Sequence, residues 1–543
     1  MKKQSKAGVI VKTSAIALAA LLSLTACGGG GEAKGSSANS TLLIGTTSDV
    51  ANFAPLNTVS ITDMWVMNQM YPELFRAETD GSIRPLAAKS ATISPDGKSI
   101  KVVLNEKFTW SDGEKLTAND LKFTLDRYVK DKLLQGKTIR ENYESSKVVS
   151  PTELTVTMKS PSYGWAKDFM TSVRILPEHV FKDVPDLTKY ALDAHEDAWV
   201  GAGPFTLAGV SKGQRYKFTR NEQYPLSAPG NEEITALEFR VYQDINTMQL
   251  ALQSGELDLA APSLPASAVA SLESKPGIKV SEVSESVSLS KLTFNQQSKT
   301  LQSPKVRKAI SGLIDTEAIL ETVLQGRGTH LESPVLPLFK GYAPEGQSIQ
   351  KVSADQARDV FKQEGFKDAD NDGFFDGLDY KILCDQGNSN HVKSAQVVRD
   401  NLATAGIKST VACSERSTSL TAAKAADFDL YVHKMPQSYS PGTNLRFQFE
   451  SPNDYGLNYT YGGDAELDEL IKKSTNATDE KSYQEATQAV ATRVGEQAMM
   501  LPLYIESLNY VSSTKRFDGY VQSPTEINGP VDSFSLSQVT RTK

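Results

Sequence analysis

Five histidines are spread through 543 residues, at His179, His195, His330, His391 and His433. None recurs at ligand spacing, which argues against direct metal coordination. Positive charge is not in excess: 58 Lys and Arg stand against 65 Asp and Glu, for a net charge of -7. Nothing in that balance points to a nucleic-acid partner, and its main effect is on solubility. After the first apolar stretch, no segment is long and apolar enough to cross a membrane. A nucleophile elbow, a zinc signature and a phosphate loop are all missing, so a secreted hydrolase stands only as the competing class. There is no internal repeat. The remaining composition, 39% hydrophobic and 23% charged, is that of a folded soluble protein. The length suggests two to four units of ordinary domain size.

What is present begins with Leu24-Thr25-Ala26-Cys27. These residues close an apolar run, Ser14 to Leu24, that follows Lys2, Lys3, Lys6 and Lys12. A basic start, a short apolar run and small residues make a secretory signal peptide over 1–26. A Cys directly after Leu-Thr-Ala resembles the lipobox of bacterial lipoproteins. The resemblance implies a lipid on the Cys27 thiol and a chain anchored to the membrane outside the cell. The alternative is a plain signal peptide with an unrelated Cys. The Gly/Ser-rich segment 27–40 behaves as a flexible tether.

Two further cysteines, Cys384 and Cys413, make an even pair in an oxidising compartment. Each ends an apolar run, and a helical pattern from about His391 to Ala405 lies between them. Strand, helix, strand places the two strands parallel, commonly as neighbours, with both cysteines at one sheet edge. This predicts a disulfide contributing about 3 kcal/mol in the chain-entropy model. Two buried free thiols are the alternative. A catalytic role has less support, because neither Cys has an activating partner.

Thr41 to Thr46 reads as a buried first strand, and Thr117 as the N-cap of a helix. Beyond residue 300 amphipathic helices prevail, among them Ser353 to Glu364 with Ser353 and Gln356 as a capping box. Leu501 to Val511 returns to strand character. Asp368, Asp370, Asp372 and Asp376 fall at the odd positions of a calcium loop, with Gly373 sixth and Asp379 twelfth. Asp is a short reach at the twelfth position, and a strand follows the loop. The segment reads as a solvated turn, with a structural calcium site as the lesser alternative.

Several stretches, in order, resemble the extracytoplasmic solute-binding proteins of peptide ABC importers, the oligopeptide/dipeptide/nickel-binding family. They include Tyr71-Pro72-Glu73-Leu74-Phe75, Phe108-Thr109-Trp110-Ser111-Asp112-Gly113, Gly201-Ala202-Gly203-Pro204-Phe205, Leu252-Gln253-Ser254-Gly255-Glu256-Leu257-Asp258 and Leu501-Pro502-Leu503-Tyr504. The resemblance runs from about residue 41 to the C-terminus. It implies an α/β fold of two lobes joined by a hinge, with an extra domain inserted in the first lobe. On this sequence the first lobe falls at 41–84, 198–292 and 504–543, the insert at 85–197 and the second lobe at 293–503. The implied function is capture of an oligopeptide-like solute in the interlobe cleft and delivery to an ABC permease and its ATPase, by a monomer with no cofactor and no catalysis. Oligosaccharide and, after it, a nickel chelate are the alternative solutes. A sensory binding protein without a transporter is a further reading.

Peptides are commonly held by backbone hydrogen bonds with pockets for side chains. The expected lining is Thr47, Ser48, Asn52 and Phe53 after the first strand, Trp199, Asn295 near the presumed hinge, and His433, Ser438 and Tyr439 in the second lobe. Tyr431, Tyr455, Tyr459 and Tyr461 are aromatics of the same region. Peptide binders of the family usually carry an Asp for the peptide's ammonium where this chain has Ser438. No acid occurs between Asp429 and Glu450. Either another acid serves, or the solute presents no free amine there.

Overall fold

In the computed structural model the described residues are 40–452 and 456–542. Cys27, the leader, most of the tether and Tyr455 lie outside them. Two mixed sheets organise the chain. The first, of seven strands, runs in the order Ile278–Val283, Leu508–Ser513, Leu259–Ala260, Thr41–Thr46, Ala236–Val241, Arg215–Arg220 and Phe205–Ser211. Thr41–Thr46 is central and parallel to both neighbours. A strand covered on both faces reads as a continuous apolar run: Leu42 and Ile44 are fully buried on one face, and Leu43 on the other packs against the cluster that holds Met248 and Leu252. Gly45 in this strand has no room for a side chain: a Cβ there would lie 2.6 Å from Leu257 Cδ2.

A four-stranded antiparallel sheet, Ala88–Ile93, Ser99–Leu104, Glu153–Met158 and Tyr143–Ser150, interrupts the first lobe. Ile100, Val102, Leu104, Leu154, Val156 and Met158 are buried and alternate with exposed or half-buried residues, the period-two pattern of a sheet with one covered face. Helix Ala118–Lys130 packs against this sheet, and Thr117 and Asp120 form its capping box. The chain returns through Gly201-Ala202-Gly203, where the Ala202 and Gly203 amides both donate to the Met70 carbonyl at 2.9 Å. A Cβ at Gly201 would fall 2.8 Å from that same carbonyl oxygen, which is why the segment needs glycine.

The second lobe is built on a six-stranded sheet: Gly328–Thr329, Met500–Glu506, Ser288–Phe294, Leu430–Pro436, Asp379–Asp385 and Lys408–Ser414. Helix Ser389–Thr404 joins the last two strands, which are parallel with Cys384 opposite Cys413. Their Cα atoms are 4.4 Å apart and the two residues form a disulfide. Ser353 and Gln356 form the capping box of helix Ala354–Gln363.

The chain crosses between the two large sheets twice, from Val283 to Ser288 and from Glu506 to Leu508. Both crossings differ from the boundaries read at 292/293 and 503/504, which fall inside strands of the second sheet. Tyr504, read as part of the first lobe, belongs to that second sheet, and the first lobe takes up the chain only at Leu508. The cause is local: Leu501 to Val511 has strand character throughout, and a single buried residue, Ser507, separates its two strands. The crossings lie side by side, with the Ser286 hydroxyl donating to the Glu506 carbonyl at 3.1 Å.

Candidate functional site

The lobes meet along a face formed by the insert, the first lobe and the second. Tyr439 Oη donates to the Glu78 carbonyl at 2.6 Å, and Lys434 Nζ pairs with Glu526 at 3.0 Å. Arg446 pairs with Glu141 at 2.8 Å, and the Tyr163 amide donates to the Ala477 carbonyl at 2.7 Å. These contacts describe a closed arrangement. Beside them lies a cavity of about 240 Å3 that is partly open to solvent. Met64, Ala77, Ile527 and Asn528 of the first lobe line it, with Gln135, Thr171, Ser172 and Arg174 of the insert and Gln437, Ser438 and Tyr439 of the second lobe. A larger hollow of about 700 Å3 lies between helices Pro304–Leu313 and Glu480–Glu496, with walls from the second lobe alone. Lobe closure does not act on it. A hollow of about 600 Å3 lies between the insert, at Arg140, Glu141 and Trp165, and the second lobe, at Arg446 and Thr475. The smaller cavity, to which the first lobe, the insert and the second lobe all contribute, is taken as the candidate solute site.

The cavity's polar groups are held by different means. Ser438 is cradled by Asn444, whose Oδ1 accepts from the Ser438 amide at 2.8 Å and hydroxyl at 3.1 Å. The Asn444 amide returns a bond to the Ser438 carbonyl at 3.0 Å. Arg174 donates to Glu73 and, more weakly, to Asn528 Oδ1 at 3.4 Å. Burial pushes the Glu73 carboxyl up, and the Arg174 charge opposes the shift. Gln135 Oε1, Gln437 Nε2 and Arg174 Nε are buried without a hydrogen-bond partner. Orphaned polar groups of this kind are costly in a finished core and are expected where a polar guest completes the wall.

Behind Ser438, on helix Tyr163–Ser172 of the insert, Asp168 is 1% exposed. Burial pushes its carboxyl up to about 7, against hydrogen bonding from Ser438 and Thr443. Asp168 is thus a buried acid of the insert that stands beside Ser438 of the second lobe.

Of the residues read from sequence, Ser438 and Tyr439 line this cavity. The others have local duties. Ser48 shares a 2.6 Å hydrogen bond with Thr62, next to Thr47, and Asn52 ties its own turn through the Asn57 carbonyl and the Ala54 amide. Phe53 packs on Tyr216 with ring centroids 5.6 Å apart, and it and Asn52 border a separate hollow. The Trp199 indole donates to the Leu192 carbonyl at 2.9 Å. Asn295 donates to the carbonyls of Ala426 and Phe428 at a different hollow. His433 is inside the second lobe, stacked on Tyr431 at 4.2 Å and bonded to Thr293 at 2.9 Å. Burial, then the nearby Lys291, drives its pKa well below the ordinary value. Tyr459 and Tyr461 pack in the same small core cluster as Tyr431.

Asp368, Asp370 and Asp372 converge, their carboxylate oxygens within 4.8 Å of one another. Their bonds are those of a turn: Asp368 accepts from the Gly373 amide at 3.0 Å and Asp372 from the Phe374 amide at 2.8 Å. Lys408 neutralises Asp372 at 2.8 Å, and Asp376 accepts from the Ala369 amide at 3.1 Å. Among the described residues, no helix is long and apolar enough to cross a membrane.

Two lobes joined by two adjacent crossings, with a polar cavity walled by both, define a solute-binding protein. Residues 82–456 match the family described as bacterial extracellular solute-binding proteins, family 5, middle region, and the chain belongs to that family. It is 23% identical over 538 residues to the oligopeptide-binding protein AppA of Bacillus subtilis, covering 96% of this chain and 97% of AppA. It is 26% identical over 369 residues to the glutathione-binding protein GsiB of Salmonella typhi, 66% of this chain and 67% of the relative. Its fold matches AppA solved with a nonapeptide at a TM-score of 0.71 and 22% identity, over 93% of this chain and 99% of that one. It also matches the ABC transporter substrate-binding protein CtaP of Listeria monocytogenes at a TM-score of 0.80 and 21% identity, again over 93% and 99%.

Proposed function

We propose that this chain captures peptide-like solutes for an ABC importer, held outside the cell by a lipid on Cys27. The observation that carries the reading is the cavity closed by walls from both lobes. A ligand touching both lobes favours the form in which they meet, and a permease can read that form. At about 240 Å3 the closed cavity is smaller than the usual ligand site of roughly 300–1,000 Å3. A peptide therefore enters with the lobes parted. Ser438, Tyr439, Gln437, Gln135 and Arg174 are the proposed contacts. Gln437 Nε2 and Arg174 Nε suit peptide carbonyls or a carboxylate, and Gln135 Oε1 suits a peptide N–H. The names of AppA and GsiB, an oligopeptide and a glutathione binder, support a peptide rather than a sugar.

No step in this cycle breaks a covalent bond. Native mass spectrometry of the purified full chain tests the reading. Peptide masses released intact on denaturation are expected. A released oligosaccharide or metal chelate contradicts the peptide assignment, and conversion of an added peptide contradicts non-catalytic capture.

A further inference from the structure

We propose that the second lobe carries a separate binding site, for a small, neutral, largely apolar molecule that bears a hydrogen-bond donor. The site is the hollow of about 700 Å3 between helices Pro304–Leu313 and Glu480–Glu496, which is partly open to solvent. Folded interiors are close-packed and hold few voids larger than a water, whereas ligand pockets run from roughly 300 to 1,000 Å3. The walls are mainly apolar, with Ala309, Val352, Val360 and Val494 among them, and the hollow reaches the lobe's sheet at Met500 and Pro502. No residue of the first lobe or the insert borders it, so it is distinct from the interlobe cavity.

The chain from Pro344 to Val352 borders the hollow and is held against both helices, at a glycine of each. The Val352 amide donates to the Gly312 carbonyl at 3.0 Å, and a side chain at Gly312 would collide with the Gln350 carbonyl. On the other helix, a side chain at Gly495 would collide with the side-chain amide of Gln347. Pinned at two places, the segment spans the space between the helices rather than filling it.

Two polar side chains of the wall are left incomplete. Ser311 is 6% exposed, and its Oγ is buried without a hydrogen-bond partner. Gln347 Nε2 donates to the Ala491 carbonyl at 3.4 Å, while its Oε1 is buried and unpartnered. Such atoms carry an unrecovered desolvation cost and are expected where a guest completes them. An amide oxygen only accepts and a hydroxyl can accept, so the guest is one that donates. The five charged residues at the border, Lys305, Lys308, Glu332, Glu345 and Glu496, are all exposed. No buried charge there calls for an ionic guest, and the apolar walls disfavour one.

Carbon-13 NMR of methionine methyl groups in the full chain tests the site. Met500 reports on this hollow and Met64 on the interlobe cavity, and replacing each by Leu assigns its signal. The probes are indole, whose N–H donates, and 1-methylindole, which has no donor. Indole is expected to shift Met500 saturably and to leave Met64 in place. 1-Methylindole is expected to bind about fivefold more weakly, the worth of one hydrogen bond. The double variant Ser311→Ala, Gln347→Leu removes both acceptors and is expected to bind the two probes alike. No saturable shift at Met500, or an equal shift at Met64, overturns the site. Equal affinity of the wild type for the two probes overturns the class of guest, and so does a preference for indole that survives in the double variant.

Discussion

Arg174 and Asp168 are six residues apart in one helix and its exit, and both are buried charged side chains beside the same cavity. Their surroundings differ. Arg174 meets Glu73 and Asn528, partners in its own half of the molecule, so its charge is compensated whether the lobes are open or shut. Asp168 faces the other half, where its neighbours are the Ser438 and Thr443 hydroxyls and no cation of that half. A buried charge compensated within one rigid body is architecture. An acid at a boundary between two bodies is held by hydroxyls from the other body, so its protonation follows their meeting. The distinction rests on where the partner sits, not on how deeply the charge is buried.

Substitutions at the two charges and at the lobe boundary separate these roles. Glu73→Ala leaves the Arg174 guanidinium without its carboxylate, and breaking a buried pair in this way costs about 3–5 kcal/mol. Chemical denaturation of the full chain should show that loss, whereas Asp168→Asn should show none. Replacing Cys384 and Cys413 together by Ser opens a loop of 29 residues and should cost about 3 kcal/mol by the same measurement. That effect is confined to the second lobe, so solute affinity should hardly move.

Asp168 also gives a pH dependence of definite sign. Burial raises its carboxyl to about 7, so between its ordinary value and about 7 the closed form binds more protons than the open one. Closure without solute is therefore strongest at the acid end of that window and is lost as pH rises through it. Glu141 and Lys167 act on the same site with opposite signs, and Asp168→Asn should flatten the profile. The smallest effect belongs to Tyr439→Phe. It removes one hydrogen bond between the lobes and should weaken solute binding by about 0.5–1.5 kcal/mol in calorimetry, leaving unfolding of each lobe unchanged.

Much of the architecture was legible because its signals are local. The alternation in Glu153 to Met158, the Thr117 cap and the strand–helix–strand around Cys384 and Cys413 each lie within a few tens of residues. The second crossing was not legible, because Ser507 is the whole of its turn signal. The site divides in the same way. Ser438 and Tyr439 could be reached from a neighbouring apolar strand, but their counterparts lie some 270 residues earlier, and nothing in one sequence says which surfaces will face each other. Two marks were nonetheless present. Asp168 falls between Trp165 and Phe169, two large apolar residues that its helix buries, and Arg174 interrupts the run Val173 to Leu176. A charge on a face that packing requires to be buried asks where its partner is. His433 shows the limit of that signal, since its partners are Tyr431 and Thr293 inside its own sheet.

The proposed function needs two rigid lobes that close over a solute and open again. Small-angle X-ray scattering of the full chain, before and after saturation with a peptide shown by calorimetry to bind, tests it most directly. A smaller radius of gyration is expected in the loaded protein, with recovery of the larger one when the peptide is removed. Identical scattering from empty and saturated protein would contradict it.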